Sequence, residues 1–365
     1  MPDHPAYRKD IVVNGRFLAQ RMSGVQRYAR ELVTALDSLI AADPGGLGTR
    51  RWRLALPADA ETLPLQAIVT EHVGKRRGHA WEQIDLWRAA STARLVSLGN
   101  SGPILHRNAI VVIHDAAPYR TPKNFGAKYG MFHRGLGRLL ARTSQIGTVS
   151  DFSRTELSQV LRIPASSLFV ANNGCDHLIN RPRDWTIVPR LGLTPERYFL
   201  FVGSPTPNKN LPIALEAFRR LNKPDVRFVV AGSLNKAVFG GESPETMPGV
   251  IVASGLPDAA IAGLYANAAA LVFPSRYEGF GIPPIEAMTC GCPVIASDIP
   301  VVREVCEDAA TYFDPDDIEG LVALMERHLD APAEAESRRV AAAGRVAHFT
   351  WERAARSLVA AILPG

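Results

Sequence analysis

The sequence predicts an α/β protein built from two doubly wound, Rossmann-like domains. Two observations predict this class: short apolar runs recur along the whole chain, and amphipathic helical patterns separate them. Runs that are apolar throughout, without alternation, are typical of parallel strands whose two faces are both covered by helices. The length of 365 residues favours about two domains.

The strand-like segments form two sets, one in each half of the chain. In the first half they are IVV (11–13), WRLAL (52–56), RLVSL (94–98), AIVVIHD (109–115), IGTVS (146–150) and LFVANNG (168–174). In the second half they are YFLFVGS (198–204), VRFVVAGS (226–233), VIVASG (250–255), ALVFPS (270–275), PVIASD (293–298) and ATYFDP (310–315). Two such sets of strand–helix units predict two doubly wound sheets.

The helical patterns between these strands are illustrated by SGVQRYARELVTAL (23–36). Its apolar side chains recur at helical spacing and form one stripe: Val25, Tyr28, Ala29, Leu32, Val33 and Leu36. Ser23 precedes the stripe and is the predicted N-cap. The last apolar pattern, TWERAARSLVAAI (350–362), predicts one more helix.

The predicted boundary between the domains lies in INRPRDWTIVPRLGLTPE (179–196), which is rich in proline and arginine and has no strong period. We therefore expect a first domain over residues 1–183 and a second over residues 184–349. A C-terminal helix over residues 350–365 is expected to pack back on the first domain.

Composition and cysteine content indicate an ordinary globular protein of a reducing compartment. Hydrophobic residues make up 47% of the chain and charged residues 21%. We expect no membrane span, because no apolar run approaches about 18 residues. The start MPDHPAYRKD lacks an apolar signal core, so we expect a cytoplasmic protein. The four cysteines predict buried small side chains and no disulfide framework or metal site.

Charge is unevenly distributed between the two halves. Residues 1–185 contain 25 Lys and Arg against 15 Asp and Glu, a net charge of +10, whereas residues 186–365 contain 16 against 21, a net charge of −5. A basic half attracts phosphates, anionic lipid or nucleic acid, although a solvated basic surface explains the excess equally well. We expect no nucleic-acid partner, since the sequence contains no motif for one.

The segment PSRYEGFGIPPIEAM (274–288) predicts a ligand site in the second domain. Ligands of open α/β sheets bind beyond the carboxyl ends of the strands, and this loop follows the strand ALVFPS. Pro283 or Pro284 suits the first turn of a helix that ends at Gly291. The start of this helix favours a diphosphate. Glu278 before the helix and Glu286 within it can both face one cleft, where carboxylates bind vicinal sugar hydroxyls.

A metal and a nicotinamide cofactor are both disfavoured. Asp314 and Asp316 in FDPDD have the D-x-D spacing that binds divalent ions in other transferases. They precede a helical pattern, however, so we interpret them as capping residues and predict no catalytic metal. The segment NGRFLAQRMSG after the first strand contains no G-x-G-x-x-G.

Several segments together resemble the family-four glycosyltransferases, which have the GT-B architecture of two Rossmann-like domains facing a central cleft. EGFGIPPIEAM followed by GCPVIASD resembles the family's signature of two glutamates separated by seven residues, and FVGSPTPNKNL (201–211) resembles its phosphate-binding loop. VVIHDAAPYR (111–120), TVSDFSRTEL (148–157), NNGCD (172–176) and SGVQRYAREL (23–32) resemble further family segments. The strongest resemblance is to bacterial polysaccharide mannosyl- and rhamnosyl-type transferases.

The resemblance implies a role for each matching residue. It assigns Glu286 to the ribose hydroxyls of a nucleotide and Glu278 to the hydroxyls of the donor sugar. Lys209 would neutralise the leaving diphosphate, and His114 would contact the donor sugar from the first domain. The other implied donor-binding residues lie in glycine-containing segments: Gly24, Gly203, Ser204, Gly255, Leu256, Phe280, Gly281 and Ile282.

One position departs from the family pattern. Many members have an arginine directly after the glycine of the phosphate loop, where this chain has Ser204 and Pro205. The diphosphate would therefore depend more heavily on Lys209, or on another cation.

The resemblance implies a retaining, metal-independent glycosyltransferase without a cofactor. Its donor would be a nucleotide sugar, with GDP-mannose as the first expectation, and its acceptor a polysaccharide or a lipid-linked saccharide, as in lipopolysaccharide synthesis. The first domain would bind the acceptor and the second the donor. Such an acceptor and the basic first half suggest peripheral contact with the inner face of an anionic membrane.

Two other functions stay open from the sequence. A non-catalytic protein that binds nucleic acid or an anionic membrane explains the basic half, but it does not explain Glu278 and Glu286. A nucleotide-sugar epimerase or a phosphorylase-like enzyme would use the same architecture. Release of nucleoside diphosphate that depends on an acceptor would distinguish a transferase from both.

Overall fold

The computed structural model describes residues 10–179, 182–204, 206–232 and 244–363. The chain divides into two compact units. The first comprises Met1–Gly174 together with Trp351–Gly365, and the second comprises Cys175–Thr350. The boundary expected between residues 183 and 184 thus lies inside the second unit.

The first unit contains a seven-stranded sheet in which every strand pair is parallel. The strands run in the order β3-β2-β1-β4-β5-β6-β7. Their bounds are β1 Asp10–Asn14, β2 Arg51–Leu56, β3 Val69–His72, β4 Arg94–Ser97, β5 Ala109–Val112, β6 Ser144–Thr148 and β7 Phe169–Val170. The strand order reverses between the central strands β1 and β4, so the carboxyl ends of these two strands form a topological switch point.

The helices that follow these strands cover the sheet. They are α1 Gly24–Ala42, α2 Gly78–Ala80, α3 Trp87–Ala89, α4 Ala117–Arg120, α5 Ala127–Thr143 and α6 Asp151–Leu161. A π-helical segment, Trp81–Leu86, continues from α2 into α3. Helix α1 buries five residues of the predicted stripe, Tyr28, Ala29, Leu32, Val33 and Leu36, and the sixth, Val25, is half-buried.

The second unit contains a six-stranded sheet that is also parallel throughout. Its order is β10-β9-β8-β11-β12-β13, with a switch point between β8 and β11. The strands are β8 Tyr198–Val202, β9 Arg227–Ala231, β10 Val250–Ala253, β11 Ala270–Phe273, β12 Val294–Ser297 and β13 Thr311–Phe313. The helices are α7 Ile187–Arg190, α8 Leu211–Leu221, α9 Asp258–Asn267, α10 Ile282–Thr289, α11 Pro300–Cys306, α12 Ile318–Asp330 and α13 Pro332–Val346.

The last helix, α14 (Trp351–Ile362), returns to the first unit and packs against α1. Its inner face buries Trp351, Ala355, Leu358 and Ile362. The ring of Trp351 lies 5.9 Å from that of Tyr28, measured between centroids. Helix α14 is therefore part of the core of the first unit.

The predicted strands are all present, and the sheet of the first unit contains one more. That strand, β3, has the sequence VTEH and lies at the edge of the sheet, with its side chains partly or fully exposed. Ser23 occupies the N-cap position of α1 as predicted. Its hydroxyl, however, donates to the Gln26 side chain and not to a backbone group of the helix.

The four cysteines are buried free thiols. Burial raises the pKa of Cys290 to about 11 and that of Cys175 to about 12. Thiolate is therefore scarce at neutral pH, and these side chains serve as small apolar packing groups.

Candidate functional site

Two loops meet at the switch point of the second sheet, at the carboxyl ends of β8 and β11. The first contains the 3₁₀ turn Pro207–Lys209, and the second is the segment 274–281. The backbone N–H of Arg276 donates to the Asn208 carbonyl at 2.8 Å, and the Asn208 amide nitrogen donates to the Tyr277 carbonyl at 3.2 Å. These hydrogen bonds fix the two loops against each other.

The same pair of loops brings together two of the predicted site residues. Lys209 Nζ lies 2.6 Å from Glu278 Oε1, although the residues are 69 positions apart in the chain. The side chains are 21% and 11% exposed, and Lys209 Nζ lies 5.4 Å from the centroid of the Phe273 ring. The ammonium group is thus held in one place, at the edge of the sheet where ligands bind in this class of fold.

The second loop leads directly into α10. Gly281 is the N-cap residue and has φ = 94°, a conformation that glycine adopts without steric cost. Phe280 is buried and packs edge-on against Phe349 at 5.3 Å. Ile282 begins the helix, a proline lies in the first turn, and Gly291 follows the C-cap with φ = 77°. The predicted helix, with its proline start and glycine end, is confirmed.

Glu286 lies inside α10 and has different partners from Glu278. Its Oε1 lies 3.2 Å from His177 Nε2, and the Tyr265 hydroxyl donates a long hydrogen bond of 3.4 Å to Oε2. Glu286 is only 7% exposed, whereas a carboxylate open to a cleft was expected. Among the described residues, the two glutamates share no hydrogen-bond partner.

Sequence reasoning did not identify His177 or Tyr265. His177 directly follows NNGCD, a segment that was noted for its resemblance to the family, so its position carried a signal. Tyr265 lies on α9 and has the apolar neighbours of an ordinary core residue. Burial is the first cause of its pKa lying well above the usual range, and the charge of Glu286 adds to this effect.

The other predicted donor-binding residues of this unit lie after β8 and β10. Gly203 follows β8 with φ = 136°. A Cβ atom on Gly232, after β9, would lie 2.1 Å from the Gly203 carbonyl oxygen, so the backbone of these loops passes too closely for a side chain. Ser204 comes next, and position 205 lies outside the described residues. Gly255, with φ = 69°, and the half-buried Leu256 follow β10.

The aspartates after β13 are engaged in local structure. Asp314 Oδ1 accepts a hydrogen bond from the Asp316 backbone N–H at 2.8 Å, and Asp316 forms an ion pair with Arg276. Asp317, not Asp314 or Asp316, is the N-cap of α12 and accepts from the Gly320 N–H at 2.9 Å. The predicted capping role therefore belongs to the third aspartate of the segment.

In the first unit, His114 follows β5 and is buried. Its Nε2–H donates to the Leu98 carbonyl at 2.9 Å, and its ring packs edge-on against Tyr28 at 4.7 Å. Burial lowers the pKa of His114 to about 4, and the bond to Leu98 opposes this shift only partly. The imidazole is neutral at physiological pH, with Nδ1 as its acceptor nitrogen. Gly24, the other predicted residue of this unit, is the exposed first residue of α1.

A buried polar network at the carboxyl ends of β1 and β4 was not predicted. Its centre is Glu82, which is 1% exposed and accepts hydrogen bonds from Asn14 at 2.8 Å and Ser101 at 2.9 Å. Arg16 Nε lies 3.2 Å from the carboxylate and His79 Nδ1 lies 3.1 Å from it. Burial alone would raise the pKa of Glu82, but these partners lower it overall. Glu82 is therefore an ionised anchor for Arg16 and His79.

Comparison with known proteins finds a family model over the second unit and relatives over most of the chain. Residues 184–345 match the family model described as glycosyl transferases group 1. O-antigen chain mannosyltransferase B of Escherichia coli is 28% identical over 255 residues, which cover 67% of each protein. O-antigen chain mannosyltransferase RfbU of Salmonella typhimurium is 27% identical over 337 residues, which cover 84% of this chain and 87% of that protein.

Solved structures agree with the fold. WaaG, a glycosyltransferase involved in lipopolysaccharide biosynthesis, is 15% identical and superposes with a TM-score of 0.71 over 98% of this chain and all of WaaG. Anabaena HepE, solved with UDP and glucose, is 15% identical with a TM-score of 0.69 over 97% of this chain and 99% of HepE. Residues 184–345 are thus a glycosyl transferases group 1 domain, and the chain is a glycosyltransferase with the GT-B fold.

Proposed function

We propose that the protein transfers a hexose, with mannose from GDP-mannose as the first candidate, to a polysaccharide or a lipid-linked saccharide. The choice of mannose and of the acceptor class is supported by the two O-antigen mannosyltransferases to which the chain is similar. We further propose that transfer retains the anomeric configuration and needs no metal ion.

The observation that carries this proposal is the Lys209–Glu278 pair at the edge of the second sheet. A lysine ammonium has three N–H donors, and one of them is directed to Glu278. The other two remain for the oxygens of a leaving diphosphate, whose negative charge grows as the sugar departs. A cation that is already fixed in place stabilises that charge without reorganisation during the reaction.

The donor's other groups are assigned to neighbouring residues. We propose that the second oxygen of Glu278 accepts from sugar hydroxyls, and that the backbone at Phe280, Gly281 and Ile282 contacts the diphosphate and the sugar. The first N–H groups of α10 lack partners within the helix, and its dipole favours an anion there. Gly203 and Ser204 are proposed to contact the donor, and Gly255 and Leu256 to lie beside the base.

Glu286 is proposed to bind the ribose. Its carboxylate has about four acceptor positions, and His177 and Tyr265 occupy two of them. The remaining lone pairs are sufficient for a ribose diol. The two buried partners would hold the carboxylate in one orientation before the nucleotide arrives.

The first unit is proposed to bind the acceptor and to provide His114 and Gly24. Because His114 donates through Nε2 to Leu98, its Nδ1 is an acceptor for a hydroxyl of the donor sugar. The low pKa of His114 suits this role and argues against general acid catalysis at neutral pH.

Retention is proposed to occur by attack on the face that the diphosphate leaves. The bond from the anomeric carbon to the diphosphate oxygen breaks, and a bond from that carbon to the acceptor hydroxyl oxygen forms on the same face. The hydroxyl proton passes to the departing diphosphate. This route needs no protein base behind the sugar, and it agrees with the assignment of Glu278 and Glu286 to binding.

We also propose peripheral contact with the inner face of an anionic membrane. No helix among the described residues is long and apolar enough to span a bilayer. The net charge of +10 over residues 1–185 would attract such a surface at low salt and release it as ionic strength rises. Equal binding to neutral and anionic vesicles would contradict this part of the proposal.

The function is tested with a panel of nucleotide sugars and saccharide acceptors, with excess chelator in one arm. We expect nucleoside diphosphate release that requires an acceptor, proceeds in chelator, and is fastest with GDP-mannose. NMR coupling at the new anomeric centre should show an α-linkage from the α-linked donor. A β-linked product would refute retention, and activity that needs added magnesium or manganese would refute metal independence.

A further inference from the structure

An open depression lies on the first unit where α4, α5 and α6 adjoin. Its volume is about 410 Å³, which is within the range of small-molecule sites, about 300–1,000 Å³. Three arginines are prominent among the side chains that line it: Tyr119, Arg134, Arg138, Gln159, Val160 and Arg162. None of these residues was assigned to the transfer reaction above.

The depression has a strong positive charge that the surrounding protein does not neutralise. Within the described part of the chain, none of its three arginines lies within ion-pair distance of a carboxylate. Glu156, on the same helix as Gln159, is already engaged, because the guanidinium of Arg120 donates to both of its oxygens at 2.6 and 2.9 Å. An anion would therefore find three guanidinium groups without a competing acid.

Two of these arginines are held in place before any ligand binds. Arg134 Nη1 donates to the Pro118 carbonyl at 3.2 Å. The Tyr119 hydroxyl donates to the Arg134 carbonyl at 2.9 Å, and the Arg138 guanidinium lies 5.6 Å from the centre of the Tyr119 ring. A guanidinium fork binds phosphate oxygens in pairs, and less entropy is lost when the fork is already oriented.

The outward face of α5 indicates where the anion comes from. The helix has the sequence AKYGMFHRGLGRLLART and contains no acidic residue. Beside its arginines it exposes Met131 by 65%, Phe132 by 47% and Leu139 by 44%. Apolar and aromatic side chains together with cations are typical of helices that lie in the interface of an anionic bilayer.

We propose that the arginine-lined depression binds the headgroup phosphate of an anionic membrane lipid, while Met131 and Leu139 enter the bilayer interface. The inference rests on the membrane contact proposed above and gives that contact a location. A site for free phosphate would not need apolar side chains exposed beside it. A bilayer uses both features at once, which is why we choose the lipid as the source of the phosphate.

The test compares two triple variants of the full-length protein with equal loss of charge. The first replaces the arginines of the depression by glutamine: Arg134→Gln, Arg138→Gln and Arg162→Gln. The control replaces three exposed arginines of the same unit that do not line it: Arg51→Gln, Arg88→Gln and Arg107→Gln. Partition is measured on vesicles of phosphatidylglycerol with phosphatidylcholine, and on phosphatidylcholine alone, at physiological ionic strength.

We expect the first triple variant to bind the anionic vesicles roughly a hundredfold more weakly, at about fivefold for each arginine near the surface. The control should lose less than about threefold, because its arginines do not line the depression and would contribute only a screened, longer-range attraction. Met131→Ser with Leu139→Ser should also weaken partition. Both triple variants should keep the wild-type melting temperature and nucleotide affinity, which shows that they fold.

The outcomes separate this inference from the broader proposals. If the two triple variants lost equal amounts of vesicle binding, the depression would not be the binding site, because net charge alone would then explain the binding. If the wild-type protein did not bind anionic vesicles, the membrane contact itself would be overturned. The proposed glycosyl transfer, measured with a soluble acceptor, would not be affected by that result. Binding of inorganic pyrophosphate is measured as a probe for a free anion. If the arginine triple variant lost pyrophosphate binding but kept vesicle binding, a bilayer lipid would be the wrong choice. The same would follow if the Met131→Ser, Leu139→Ser variant bound vesicles as well as the wild type.

Discussion

Glu286 illustrates how one side chain can serve both the fold and a ligand. Its position inside α10 and its low exposure place it among core residues, yet its carboxylate keeps acceptor positions beyond those used by His177 and Tyr265. Removal of the carboxylate should therefore affect stability and nucleotide binding together. Substitution of a glutamate that faced open solvent would affect only nucleotide binding.

We predict that Glu286→Ala weakens nucleoside diphosphate binding by about 1.5–3 kcal/mol for each charged hydrogen bond lost. It should also lower the free energy of unfolding by about 1–3 kcal/mol, because the buried Tyr265 hydroxyl loses its acceptor. Glu286→Gln keeps the shape and one acceptor oxygen, so it should lose less stability. Calorimetry and urea unfolding measure the two effects, and an unchanged nucleotide affinity would remove Glu286 from the ribose site.

The buried imidazole of His114 predicts a pH dependence of stability. The pKa of His114 is about 4 in the folded protein, below the value of about 6.5 for an unfolded chain. Between these two values the unfolded state binds more protons, so the stabilisation is fully present above pH 6.5 and is lost as the pH falls toward 4. A shift of this size corresponds to about 3 kcal/mol.

The contribution of His114 is isolated by His114→Gln, because burial also lowers the pKa of His106 and of His133. The free energy of unfolding of wild type and variant should differ by a constant amount above pH 6.5. Below that pH the wild type should lose stability more steeply. Parallel curves between pH 6.5 and 4.5 would show that His114 titrates normally.

At the scale of the element, the important feature is the pair of loops that follow β8 and β11. One backbone hydrogen bond and one from the Asn208 side chain join them, so the ammonium of Lys209 depends on residues from both loops for its position. We predict that Lys209→Ala lowers turnover by roughly 10²–10³, the loss typical of one group that stabilises transition-state charge. The anomeric outcome of the reaction should not change.

A matched control is available on the same unit. Lys223 is also paired with a carboxylate, Asp330, at 3.1 Å, but this pair is exposed. Lys223→Ala should leave turnover within about twofold, because an exposed ion pair contributes at most about 1 kcal/mol. If the two alanine variants lose activity equally, Lys209 acts through stability and not at the diphosphate.

The elements that could be predicted from the sequence are those whose residues carry a local signal. The buried strands are apolar runs in the sequence, and Gly281 and Gly291 mark the start and the end of α10. Strand β3 lacked such a signal, because VTEH at a sheet edge needs few apolar side chains. A strand of this kind is specified mainly by its neighbour β2.

The site was predictable in its residues but not in its contacts. Lys209 and Glu278 were each identified, but a pairing across 69 residues depends on the fold and is not encoded locally. The burial of Glu286 depends on α9 and on the turn Asp176–Leu178, which pack around it. The Glu82 network has the same origin, since its four partners come from three separate segments of the chain.

At the scale of the whole molecule, the first unit is assembled from both ends of the chain. Helix α14 buries Leu358 completely against this unit, while its neighbour Ser357 is exposed. We predict that Leu358→Asp destabilises the first unit by more than about 3 kcal/mol, because a buried charge without a partner is among the costliest changes in a protein. Ser357→Asp should change stability by less than about 0.5 kcal/mol.

Hydrogen exchange measured by mass spectrometry distinguishes the two units in these variants. With Leu358→Asp, amides of β1–β7 should exchange faster, while those of β8–β13 keep their protection. Faster exchange throughout the chain would mean that the units unfold together. Unchanged exchange would mean that α14 contributes little to the first unit.

The position of α14 also has a consequence for the synthesis of the protein. The second unit is continuous in the chain, from Cys175 to Thr350, and all of its residues have been made before α14 is translated. The first unit lacks part of its core until α14 leaves the ribosome. The half that is synthesised first therefore completes its core last, and during translation the apolar face of α1 that α14 covers stays without that partner.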